Sequence, residues 1–166
     1  MGSDGSDQVN LSHSPANDYS PAWSPDGRRI AFSRFGGTTG DIWVMNADGT
    51  NQIRLTTNPA MEDEPAWSPD GSKILFMSTR DGMPQIYVMN ADGSGLRILV
   101  ASGEVDAEPS WSPDGTKIVF DRLVRDGIQI VVAGADGLNQ RVVGWACVGT
   151  SCDDAYPPDP SWQPLR

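Results

Sequence analysis

One histidine, His13, stands in 166 residues, and that scarcity removes several chemistries at once. A Ser-His-Asp arrangement has only His13 to use, in the loop-like context Leu11-Ser12-His13-Ser14-Pro15, and no nucleophile elbow accompanies it. Cys147 and Cys152 are too few for a zinc site without histidine help, and His13 lies far from them in sequence. Basic residues are also scarce: 12 Lys and Arg face 22 Asp and Glu, a formal charge of −10. That balance argues against nucleic acid and anionic membrane as partners, and is compatible with cations, basic peptides or simple solubility. No run approaches the ~18 apolar residues of a transmembrane helix. Met1-Gly2-Ser3-Asp4 has neither a basic nor an apolar region, so no signal peptide is read there. Helical periodicity is missing throughout, and with it any glycine-rich phosphate loop that opens a helix.

What the chain has in quantity is turn chemistry and tryptophan. Hydrophobic residues make up only 38%, but six Trp supply large apolar area per residue. Most of the 18 Gly and 13 Pro sit at repeated offsets. Pro21-Ala22-Trp23-Ser24-Pro25-Asp26-Gly27 recurs as Pro65-Ala66-Trp67-Ser68-Pro69-Asp70-Gly71 and as Pro109-Ser110-Trp111-Ser112-Pro113-Asp114-Gly115. Trp23, Trp67 and Trp111 are therefore 44 residues apart, and a fourth copy begins at Pro160-Ser161-Trp162-Gln163-Pro164, 51 residues after Trp111. A fixed period of this size marks a repeat architecture.

Each unit gives the same signals in the same order. A Pro-x-Trp-Ser strand enters a Pro-Asp-Gly turn, where Pro presets φ and Gly closes the reversal. A β-rich segment follows, for example Arg29-Ile30-Ala31-Phe32-Ser33 or Lys73-Ile74-Leu75-Phe76-Met77. The third strand is Ile42-Trp43-Val44-Met45-Asn46, echoed by Ile86-Tyr87-Val88-Met89-Asn90 and Ile130-Val131-Val132-Ala133-Gly134. Asp48-Gly49, Asp92-Gly93 and Asp136-Gly137 then turn the chain into a short fourth strand, and Asp4-Gly5 stands at the same offset. Four short strands in ~44 residues is the arithmetic of one propeller blade, so the chain is expected to be all-β. Residues 1–166 form one partial propeller domain. Its repeats are 21–64, 65–108 and 109–159, with a lone outer strand at 8–11 and a lone inner strand at 160–164.

Trp-Ser-Pro-Asp-Gly, then Ile-x-Phe, then Ile-Trp/Tyr-Val-Met-Asn-Ala-Asp-Gly with a trailing Leu-Thr closely resembles the repeat of TolB-type β-propellers, which is WD40-like in kind. The resemblance covers nearly the whole chain and recurs three times in phase. It implies that the Trp strand is innermost, lining a central channel, and that the strand after Asp-Gly is outermost. The third unit drifts, with Val132-Ala133-Gly134 in place of Met-Asn-Ala and Val143-Gly144 in place of Leu-Thr. By the same resemblance the chain is a non-enzymatic scaffold that binds a protein, peptide or small ligand, in the periplasm or outside the cell. A propeller module of a hydrolase or lyase is the alternative, as is a truncated fragment without activity of its own. The related oligogalacturonate lyases need a metal-binding His cluster, which one His does not supply. The peptidases of the prolyl-oligopeptidase type need a separate hydrolase domain.

No catalytic residue is assigned. Asp26, Asp70 and Asp114 in the Pro-Asp-Gly turns are explained by the turn itself, and the repeated aromatics by packing between blades. The candidate binding residues are acids near the inner strands. Three positions before each Trp stand Ser20, Glu64, Glu108 and Asp159; five positions before stand Asp18, Glu62, Asp106 and Pro157. Propeller symmetry would gather these acids at one mouth of the channel, where like charges call for a cation or a basic ligand. Calcium is the cofactor such oxygen ligands suit, solvated loop acids being the plainer reading.

The last loop is seven residues longer than its counterparts and holds Trp145, Cys147, Cys152 and Asp153-Asp154. It is either a functional loop or an incidental insertion. The cysteines are either free or joined in a Cys147–Cys152 disulfide, as an extracytoplasmic setting implies. Three full repeats fall short of the about four to eight blades of a closed propeller, so a head-to-tail homodimer is expected to complete the ring.

Overall fold

In the computed structural model of the protein, residues 6–146 are described. They form twelve strands and no helix. The first sheet holds β1 (Asn17–Trp23), β2 (Arg29–Phe35), β3 (Gly40–Asn46) and β4 (Ile53–Arg54). The second holds β5 (Glu62–Trp67), β6 (Lys73–Ser78), β7 (Gln85–Asn90) and β8 (Arg97–Val100). The third holds β9 (Val105–Trp111), β10 (Lys117–Val124), β11 (Gly127–Gly134) and β12 (Arg141–Ala146). Within each sheet the strands lie in chain order and pair antiparallel. Three four-stranded blades stand side by side, and they do not close a ring.

The Pro-Asp-Gly turn closes the same way in every blade. The Ser24 hydroxyl donates to Asp26 Oδ1 at 2.6 Å and accepts the Arg29 N–H at 2.9 Å, and Ser68/Asp70/Lys73 and Ser112/Asp114/Lys117 repeat both bonds at the same distances. Gly27, Gly71 and Gly115 take φ of 68°, 69° and 69°, which only glycine adopts without strain. The Asp-Gly turns meet the neighbouring blade closely. A Cβ on Gly93 would stand 3.1 Å from the Leu55 carbonyl, and one on Gly49 only 2.5 Å from the Leu11 carbonyl.

Two boundaries differ from the sequence reading. The inner strands begin three or four residues before the expected Pro, so the candidate acids lie within them rather than in loops ahead of them. Each inner strand carries a break in register just before its Pro, and Ser20, Glu64 and Glu108 occupy it with φ of 49°, 60° and 53°. A bulge suits a residue before proline, because proline brings no N–H to the ladder. Residues 8–11, expected as an outer strand, form no strand. The physical reason is the lack of a middle strand beside them to pair with. Leu11 nevertheless packs against Ile30, Phe32 and Met45, the place on blade one that Leu55 takes on blade two and Leu99 on blade three. The inner strand at 160–164, Asp4-Gly5, and the Cys147–Cys152 pair lie outside the described residues.

The core sits between blades. Ala31, Ile42 and Val44 of blade one meet Trp67, Ile74, Phe76, Tyr87 and Met89 of blade two. Leu75, Ile86, Val88 and Val100 on the far side of blade two meet Trp111, Ile118, Phe120 and Val131 of blade three. Strands alternate their side chains between faces, so a blade with both faces covered reads as a nearly unbroken apolar run.

Candidate functional site

The antiparallel registers place the start of each inner strand, the end of the second and the start of the third at one end of the blade. The turns after the Trp strands occupy the opposite end. All the candidate acids in the described residues fall at or near the first end, where they are held by groups that the sequence reading did not pair with them.

Asp18 accepts two hydrogen bonds from Arg34, at 2.7 and 3.0 Å, and Asp106 accepts two from Arg122, at 2.7 and 3.3 Å. Both arginines reach on to a glutamine of the outer edge, Gln52 at 3.0 Å and Gln140 at 2.9 Å. Burial alone would raise the Asp18 pKa, but hydrogen bonds from Arg34 and Ser12 outweigh it and hold the carboxyl below its ordinary value. In blade two the acid is Glu62, fully buried, and the residue in phase with the two arginines is Ser78. Ser78 donates to Glu62 at 3.3 Å, and Arg80, two residues further on, pairs with the same carboxylate. A longer acid is thus met by an arginine from further along the chain.

Each arginine also lies on aromatic rings of its own blade. Arg34 sits 4.7 Å from the Trp43 centroid, Arg80 4.9 Å from that of Tyr87, and Arg122 5.3 Å from that of Phe120. The rings contribute cation–π attraction and exclude water from the pairs. Burial, and then its hydrogen bond to Asp81, push the Tyr87 hydroxyl above its ordinary range. A signal for the arginines was present in the sequence: Arg34 and Arg122 each follow their acid by 16 residues. Blade two broke the pattern and hid it.

The remaining acids sit at the bulges. The Glu108 N–H donates to Glu64 Oε2 at 2.6 Å, so the structure brings these two together across neighbouring blades. Asp18, Glu62 and Asp106 each pair with an arginine of their own blade. Asp159 lies outside the described residues. Among the described residues no group of three or more His, Cys, Asp or Glu is placed to hold a metal ion. His13 is exposed in a turn whose N–H groups are taken by the Asn10 side chain.

The tryptophans set the second feature of the site. Trp67 and Trp111 are each 8% exposed, and Trp67 Nε1 donates to the Ala22 carbonyl of the preceding blade at 3.2 Å. Among the described residues no inner strand stands before Trp23, which is 59% exposed. Residues 4–164 match the TolB beta propeller domain. The chain belongs to that family. Solved TolB structures superpose on it: a protein described as a TolB, from Agrobacterium tumefaciens, is 30% identical with a TM-score of 0.73, over 82% of this chain and 51% of that one. TolB from Acinetobacter baumannii is 23% identical with a TM-score of 0.68, over 76% and 32%. An oligogalacturonate lyase in complex with manganese shares the fold, at 22% identity and a TM-score of 0.64, over 84% and 39%. This TolB-family chain therefore spans about half the length of the first structure and about a third of the second. No curated protein matches it.

Proposed function

We propose that this TolB-family chain is a binding scaffold rather than an enzyme, acting outside the cytoplasm through its blade faces and loops on a protein or peptide. The buried inner-strand acids support that reading. Asp18, Glu62 and Asp106 are the carboxylates that a catalyst or metal would call upon, and each is neutralised by an arginine of its own blade. They brace the strands within each blade.

The observation that carries the proposal furthest is the exposure of Trp23. Leu11 covers the outer half of the leading face of blade one, while among the described residues no strand stands beside Trp23 as the Ala22 strand stands beside Trp67. A second copy of this chain supplies that neighbour. It carries receiver surfaces of the required shape, because Val119, Ile130, Val132 and Val143 of blade three stand in phase with the residues of blade two that receive Trp111. Head-to-tail association repeats one interface twice and closes at six or more full blades. Light scattering across a dilution series is expected to give about twice 17.8 kDa. A folded species of single-chain mass at every concentration overturns this assembly.

A further inference from the structure

At the turn end, away from the acids, the two inter-blade seams are built from equivalent residues but filled differently. Between blades one and two, the Arg29 guanidinium lies 4.5 Å from the centroid of the Trp67 ring. Between blades two and three, the residues in phase are Lys73 and Trp111. Lys73 does not lie over the indole. Its ammonium points to Asn90 Oδ1, 3.4 Å away.

No guanidinium of the described residues stands over Trp111 at the second seam, where the indole is as buried as Trp67 is at the first. A cavity of about 450 Å³ lies there, lined by Ser68, Asp70, Lys73, Trp111, Asp114 and Gly115 among others. That is within the roughly 300–1,000 Å³ of small-ligand sites. The Trp111 indole is buried, and among the described residues its N–H finds no acceptor, unlike that of Trp67. Both aspartates are ionised well below neutral pH, the hydrogen bonds from Ser68 and Ser112 drawing their pKa values to about 2. Three turn hydrogen bonds fall on Asp114 Oδ1 and none of them on Oδ2. In the lining itself Asp70 and Asp114 face the one ammonium of Lys73, which Asn90 engages, while Lys117 acts on Asp114 from beyond the lining.

We propose that this cavity receives a guanidinium group presented by another molecule, stacked on Trp111 as Arg29 is stacked on Trp67, with Asp70 and Asp114 supplying the countercharge. A planar, weakly hydrated guanidinium suits an indole face and a carboxylate wall better than a compact ammonium does, which is consistent with Lys73 leaving the space open. The inference does not depend on how the ring closes, because both seams lie within one chain.

The test is an NMR titration of the labelled full chain with N-acetylarginine amide, following the Trp111 indole N–H, assigned by its loss in W111F. A saturable shift in the roughly millimolar range is expected. In K73R the new guanidinium fills the cavity from within, so binding weakens by at least about tenfold while the spectrum stays folded. The uncharged N-acetylnorleucine amide leaves the resonance in place. No shift with the arginine probe, equal shifts with both probes, or unaltered binding by K73R each overturns the proposal.

Discussion

The three Pro-Asp-Gly aspartates show how a single side chain sets a turn. Each carboxylate takes the hydroxyl of the Ser two residues before it and the N–H two residues after it. Those bonds favour the ionised form, lowering Asp26 and bringing Asp70 and Asp114 from 3.8 to about 2. A carboxyl lowered on folding contributes stability that is complete above its unfolded pKa and is lost as pH falls through the folded one. The melting temperature should therefore hold down to about pH 4 and fall between there and about pH 2. The variant S112A removes the largest of the Asp114 hydrogen bonds and should lose less of its stability over that interval than the parent. Equal losses in thermal melts would refute the assignment.

At the scale of the blade, the acid–arginine pairs brace the inner strand against the second. Asp106 is fully buried, so removing its partner strands a charge without water. The variant R122M should cost about 3–5 kcal/mol in urea unfolding. Removing both charges should cost less than removing one, so the double variant D106V/R122M is expected to be the more stable of the two. The variant R34M should be milder than R122M, because the Asp18 side chain retains 18% exposure and some hydration. An R34M protein as unstable as R122M would show that the pairs are not doing this work.

For the whole molecule, the same tryptophan has different weight depending on its neighbour. Replacing Trp67 with alanine opens the blade one–blade two seam and should cost about 3–5 kcal/mol. The equivalent change at Trp23 should cost much less within one chain, since the ring is already 59% exposed. If the leading face is where a second copy docks, W23R should leave the melting curve of the separated chain nearly unchanged and abolish association in light scattering. Retention of the doubled mass in W23R would place the contact elsewhere.

Strand order, turn positions and the 44-residue blade were legible in the sequence, because Gly, Pro and Asp act locally and alternation has a period of two whatever surrounds it. The Trp residues could be read as blade-packing for the same reason. Whether a given Trp is buried could not be read, since Trp23 and Trp67 stand in nearly identical words and differ in whether a blade of the described residues stands in front of them. The acids were legible as a repeated set. Their partners were not: Arg34 and Arg122 come from a different strand, and in blade two Arg80 arrives out of phase. Local chemistry repeats with the sequence, whereas burial and pairing depend on what the fold brings alongside; at the two seams a change of residue, Arg29 to Lys73, decides which indole carries a guanidinium on its ring.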